Sequence, residues 1–182
     1  MSGYMQAPPL ETKFSGGEGL ALRDCAIEGY ASLFGVPDQG GDTVRPGAYA
    51  GSLRALARDG RRVKMLWQHD PARPIGVWEE IREDARGLFV RGRILSEVQA
   101  GREALALIEA GAIDGLSIGY RTLRAARDEA GGRALLEIEL WEVSVVTFPM
   151  LPQARVSTAD ASDEALAREL ADSFAQARAL MG

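Results

Sequence analysis

The sequence predicts a mainly β domain with helices (α+β): a closed or nearly closed barrel, two helical crossovers and a detachable C-terminal amphipathic helix. Three observations predict it. Short runs rich in aliphatic and aromatic residues recur between residues 20 and 148, separated by turns dense in Gly, Pro and Asp. Two stretches among them carry helical spacing instead. Beyond FPMLP the composition shifts to small residues and then to a second helical pattern.

In chain order, residues 1–19 read as a flexible leader, with paired prolines and GGEG, followed by a domain over 20–156. LALR and IEGYASLF are strand-like, and GVPDQGGD (35–42) is a loop. PGAYAGSLRALARDG is a helix: Pro46 suits its first turn, Tyr49, Leu53 and Leu56 share a face, and Gly60 sits where it stops. RVKMLWQ is a strand running into His69, and DPARPIG (70–76), with two prolines and a glycine, predicts a turn. VWEEI and GLFVRGRIL, separated by REDAR, predict a β-hairpin. Ser96 is placed to cap a helix reaching about Glu109, with Leu105 and Ile108 inward and Gly111 ending it.

GLSIGYRTL (115–123) and ALLEIELWEVSVVTF (134–148) flank the polar loop RAARDEAGGR and predict a long antiparallel pair. QARVSTADAS is a linker. Within the C-terminal region, 157–182, Ser162 is placed as an N-cap and Leu166, Leu170 and Phe174 recur every four residues.

The composition excludes several functions. A net charge of −5 and a pI near 5.0, with scattered basic residues, give no electrostatic basis for binding nucleic acid or an anionic membrane. No run of apolar residues is long enough to predict a membrane span, and the N-terminus is not a secretory signal. A single cysteine, Cys25, excludes an internal disulfide and is compatible with a reducing cytosol. One histidine and one cysteine leave little for a zinc site, so the metal reading of His69 is weak, while counting alone leaves a carboxylate-bound calcium or magnesium ion open.

That one histidine, His69, ends a strand, where a structural role is the commoner one. Ser117 stands in IDGLSIGY with Gly115 and Gly119 on either side, small neighbours that let a substrate backbone approach. The Gly-x-Ser-x-Gly pattern lacks the strand-serine-helix context of a nucleophile elbow, because here a helix precedes and a strand follows. A serine between glycines is, by itself, most often just a residue that fits. Together the two say more: a serine hydroxyl needs a base to take its proton, and in this chain any histidine base is His69. A third group should orient the imidazole. Glu142, an acid in an otherwise apolar strand, is the best candidate, although on the residues alone a solvent-facing strand position is the preferred reading. In strict alternation it shares a face with Leu140 and Ser144, opposite Trp141, Val143 and Val145.

The order of segments resembles the prohead (capsid maturation) proteases of HK97-like tailed phages. The landmarks are GYASLFGVPDQGGDTVRPGAY, KMLWQHD, PIGVWEEI with GLFVRGRI, IDGLSIGY, and LWEVSVVTFPM followed by the small residue Ala154. They run from Ile27 to Val156 in the family's order. The resemblance implies a fold related to the herpesvirus assembly proteases, a β-barrel surrounded by helices, and a serine endopeptidase without cofactors. By motif it assigns the histidine to His69 and the nucleophile to Ser117. The acid falls in or near the EVS segment, hence Glu142; the second histidine of the herpesvirus enzymes has no counterpart here. Arg155 is singled out, with the amides of 148–155, by analogy with an arginine-bearing loop that serves the oxyanion.

The implied partners are the major capsid protein and its scaffolding segment, with a homodimer by analogy and self-cleavage at the termini. The implied setting is the host cytoplasm and the interior of procapsids, for a phage, a prophage or a gene transfer agent. Two alternatives stand beside this: a catalytically inert assembly factor of the same fold, and an unrelated hydrolase using Cys25 with His69. The C-terminal helix either packs on the barrel or docks the enzyme into the assembling shell.

Overall fold

A computed structural model describes residues 25–128 and 131–158. The predicted leader, the LALR run and the C-terminal helix lie outside the described residues. The elements are β1 (Ala26–Leu33), β2 (Asp42–Val44), α1 (Ala50–Arg58), β3 (Lys64–Trp67), β4 (Asp70–Glu83), β5 (Gly87–Ile94), α2 (Gln99–Glu109), β6 (Gly115–Arg127), β7 (Arg133–Val146) and β8 (Val156–Thr158).

The described strands form one sheet in the order β2-β7-β3-β4-β5-β1-β8, with β6 on the other edge of β7. β7 is the spine. Its first residues pair in parallel with β2, its last with β3, and its whole length runs antiparallel to β6. The sheet curls until β8 meets the start of β6 through a bridge between Gly115 and Arg155. Hydrogen bonds from Leu116 N–H to the Ala154 carbonyl (2.9 Å) and from Val156 N–H to the Asp114 carbonyl (2.8 Å) flank that bridge. The near-closed barrel expected from the sequence is therefore present, with a short seam.

Alternation builds the core. In β5, Leu88, Val90 and Ile94 are buried while Arg91 and Arg93 face out. Ile27, Met65, Ile75, Leu116, Leu140, Val143 and Val145 complete the same cluster. α2 inserts Ala104, Leu105 and Ile108 from the side of β4 and β5. α1 lies over β7, where Leu140 N–H donates to Ser52 Oγ at 2.9 Å. Both helices stop at the glycines expected, Gly60 and Gly111, whose φ values of 63° and 67° suit residues without a Cβ.

Four expectations are corrected. DPARPIG is not the turn; it opens β4, and the chain reverses at Gln68–His69 instead. Pro71 is tolerated because Leu66 pairs with Pro74 and Trp67 with Asp70, leaving residues 71–73 as an exposed bulge that needs no ladder N–H; Pro74 stands where that bulge rejoins the ladder. Ser96 does not cap α2, whose N-cap is Val98 and carries no side-chain cap. The segment read as a linker contributes β8 before it leaves the described residues. Finally, β7 does not alternate strictly. Gly119 pairs with Glu142 but Tyr120 pairs with Leu140, so Trp141 is an extra residue and Glu142 and Leu140 face opposite sides.

Candidate active site

The β3–β4 turn holds His69. Gln68 and His69 have φ values of 54° and 62°, both in the left-handed region that a two-residue hairpin of type I′ requires at its centre. Such turns favour Asn-Gly, and each non-glycine residue there costs on the order of 1 kcal/mol or more. The neighbouring strand offsets that strain. Gln68 N–H donates to the Val145 carbonyl at 3.0 Å, and its side chain exchanges hydrogen bonds with Thr147, at 2.8 and 3.2 Å. His69 N–H donates to Ser144 Oγ at 3.2 Å. The turn is thus pinned to the end of β7, and the imidazole with it.

Register then decides which side chains meet. On β6 and β7, Ser117 is opposite Ser144 and Gly119 is opposite Glu142; on β3, Leu66 and Lys64 are their parallel partners. Paired residues face the same side, so Ser117, Ser144, Gly119, Glu142 and Lys64 share one face. Gly119 has no side chain because the Glu142 carboxylate occupies that space: a Cβ there would lie 2.0 Å from Glu142 Oε1. A Cβ on Gly115 would meet the Val146 carbonyl and the Pro149 ring. Both flanking glycines, expected to leave room for a substrate, have their space filled by the protein itself.

Glu142 is buried yet has both oxygens engaged, as a buried carboxylate must. Oε1 lies 2.6 Å from His69 Nδ1, and Oε2 accepts from Ser144 Oγ at 2.5 Å. With the Nδ1 proton given to Glu142, a neutral imidazole keeps its Nε2 lone pair free to accept. His69 is more basic than an ordinary histidine, because the Glu142 hydrogen bond outweighs the opposing effect of burial. An acid-oriented, basic imidazole of this kind can take a proton from a hydroxyl.

Sequence reasoning named Ser117, His69 and Glu142, and the structure gathers all three around Ser144. Ser117 is buried directly across the ladder from Ser144, and Ser144 joins Glu142 to the His69 backbone. Ser144 itself was missed as a site residue; the pattern Glu-x-Ser on a strand was its only signal. Arg155 forms an ion pair with Asp114 beside the start of β6, while its backbone bridges Gly115. Cys25 lies just before β1 with its carbonyl accepting from Ile94 N–H, and His69 is hydrogen-bonded to Glu142 and Ser144. Among the described residues no cluster of His, Cys, Asp and Glu could hold a metal ion, and no helix is long and apolar enough to cross a membrane.

Because His69 is the single histidine, its titration is directly readable. Its NMR signal should titrate with a midpoint above the ordinary 6.5, and Glu142→Gln should lower that midpoint. The linkage has a definite sign. A raised folded-state pKa means that the stabilising contribution of the pair is complete below pH 6.5 and is lost as pH rises through the raised value. A wild-type midpoint at or below 6.5 would remove Glu142 as the orienting acid.

A family model of the caudovirus prohead serine protease matches residues 13–169. The prohead protease of Enterobacteria phage HK97 is 33% identical over 159 residues, covering 84% of this chain and 66% of that protein. The prohead protease of Escherichia phage T5 is 32% identical over 124 residues, covering 68% of this chain and 57% of that protein. The chain thus spans slightly under two thirds of the length of the first relative and less of the second. Among solved structures, the bacteriophage T4 capsid assembly protease superposes with a TM-score of 0.56 at 16% identity, covering 66% of this chain and 80% of that one. At that identity the likeness concerns the fold: mainly β, with few helices.

Proposed function

As the chain belongs to the caudovirus prohead serine protease family, we propose that it is a serine endopeptidase processing the major capsid protein, through its scaffolding segment, during procapsid maturation. The observation that carries this reading is the 2.6 Å contact between His69 Nδ1 and Glu142, made on the face of the sheet that bears Ser117. In the proposed mechanism His69 Nε2 removes the Ser117 proton as the oxygen attacks the scissile carbonyl. It then returns that proton to the leaving amine, and water repeats the cycle on the acyl-enzyme. Glu142 holds the ring and stabilises its charged form; Ser144 holds Glu142. The names of the relatives, prohead protease and capsid assembly protease, point to the capsid protein as substrate and to procapsids in the bacterial host as the place of action.

The test is co-expression with the neighbouring capsid protein, whose N-terminus is then read by intact mass with wild type and Ser117→Ala in parallel. Cleavage by wild type alone is expected. Uncut capsid protein in both, with particles still forming, would support an inert assembly factor instead.

A further inference from the structure

The face that carries Ser117 and Glu142 does not end there. On β6 it continues through Gly119 to Arg121 and Leu123, and on β7 through the bulged Trp141 to Glu139 and Glu137. There it opens into a groove of about 870 Å³ between this part of the sheet, α1 and the approach to β3. Its apolar surface comes from Leu56, Leu123 and Trp141, the last two 51% and 55% exposed, far above what large apolar side chains in a strand normally show.

The charges lining the groove are unequal. Glu139 is paired with Arg121 at 2.7 Å and Glu137 with Arg124 at 3.8 Å, so its two acids are already neutralised. Arg62 and Lys64 are exposed and have no ion-pair partner among the described residues. In a chain of net charge −5, the unmatched charge of this groove is therefore positive. Lys64 is also the register partner of Glu142, which places the cationic wall directly against the His69–Glu142 pair.

We propose that this groove is the specificity subsite of the enzyme, receiving an extended segment of the substrate in which an apolar side chain packs on Trp141 and Leu123 and a carboxylate pairs with Arg62 and Lys64. This rests on the endopeptidase reading above. The geometry gives the position. At about 3.3 Å per strand residue, Lys64, level with Gly119 through Glu142, lies roughly 7 Å along the sheet from Ser117, and Leu123 lies roughly 20 Å along the strand. The acid therefore sits about two to four residues from the scissile bond, with the apolar residue beside or beyond it, on one side of the bond only. The acidic character of the chain elsewhere works in the same direction, since an acidic segment is repelled by most of the surface and accepted at this groove.

The test is cleavage of a randomised synthetic peptide library, with cut sites read by mass spectrometry, by wild type, by Arg62→Glu/Lys64→Glu and by Trp141→Ala. Wild type should select Asp or Glu at a fixed distance from the cut, beside an aliphatic or aromatic residue. The double reversal should shift the preference toward Lys or Arg by about tenfold, the scale expected of two partly exposed charge pairs. Trp141→Ala should weaken the apolar preference alone. Cut sites without charge bias, or a bias that survives the double reversal, would overturn the subsite while leaving the protease intact. A double reversal that alters oligomeric mass but not cut-site preference would assign the groove to a second copy and equally overturn it. No cleavage by wild type would instead sink the endopeptidase reading, and the subsite with it.

Discussion

Replacing Ser117 by alanine is expected to lower kcat/KM on a cleavable peptide by roughly 10⁴- to 10⁶-fold, the range seen when the nucleophile of a serine triad is removed. The loss should fall on kcat, because the hydroxyl forms a bond in the transition state and contributes little to ground-state binding. The fold should be spared. Ser117 is 4% exposed and surrounded by its own ladder, so deleting one oxygen removes no packing partner, and Tm should move by only a few degrees. Ser144 is the control. It is fully buried, its proton is given to Glu142 Oε2, and its oxygen accepts from His69 N–H, so it is committed to holding the other groups. Ser144→Ala should therefore cost only about tenfold, as loss of a positioning hydrogen bond does, and should lower the His69 titration midpoint. The reverse order, with Ser144→Ala inactive and Ser117→Ala active, would move the nucleophile to Ser144. Equal activity of both with wild type would return attention to Cys25.

The acid limb of the pH–rate profile carries the same logic. A base must be unprotonated to act, and the Glu142 carboxylate raises the pKa of His69. Activity should therefore rise with pH through a value above 6.5, and Glu142→Gln should move that limb to lower pH while reducing the plateau.

Much of this site was legible because its chemistry limits the choices. One histidine in the chain makes His69 the base of any histidine-activated serine, whereas Glu142 is singled out through the family resemblance, since an acid in a strand otherwise reads as solvent-facing. The supporting geometry was not legible. Strict alternation put Glu142 on one face with both Ser144 and Leu140; the Trp141 bulge, an irregularity with no composition signal, sends Leu140 into the core and leaves Glu142 with Ser144 and Ser117. The turn at Gln68–His69 lacks the Asn-Gly chemistry that announces a type I′ hairpin, whereas the prolines just after it announce a turn that does not occur. It is held open by tertiary bonds to Val145, Thr147 and Ser144, each more than 70 positions away in sequence. β2 and β8 are three residues each, too short for any periodicity, and exist because β7 and β1 offer them edges. What local pattern determines was readable; what a distant partner determines was not.

Gly119→Ala is expected to be nearly as damaging to activity as loss of the acid itself, a fall of about 10²- to 10⁴-fold, with little loss of stability. A methyl at this position would stand 2.0 Å from Glu142 Oε1, 2.7 Å from its Cδ and 2.8 Å from its Cγ, distances no packing tolerates. The obstructed atoms belong to the end of a side chain, not to backbone, so the carboxylate gives way and the β6–β7 ladder stays. Once it moves, the 2.6 Å contact with His69 Nδ1 and the 2.5 Å bond from Ser144 cannot both persist. The imidazole would lose the partner that fixes its tautomer, and its titration midpoint should fall, because burial remains while the opposing hydrogen bond is gone. The combination is specific: Tm nearly unchanged, kcat strongly reduced, His69 less basic. A simple backbone disruption would lower Tm first, and a substrate-approach role for Gly119 would raise KM while leaving the His69 titration where it was. Full activity with an unshifted histidine would mean that the Glu142 carboxylate is not needed where the fold has put it.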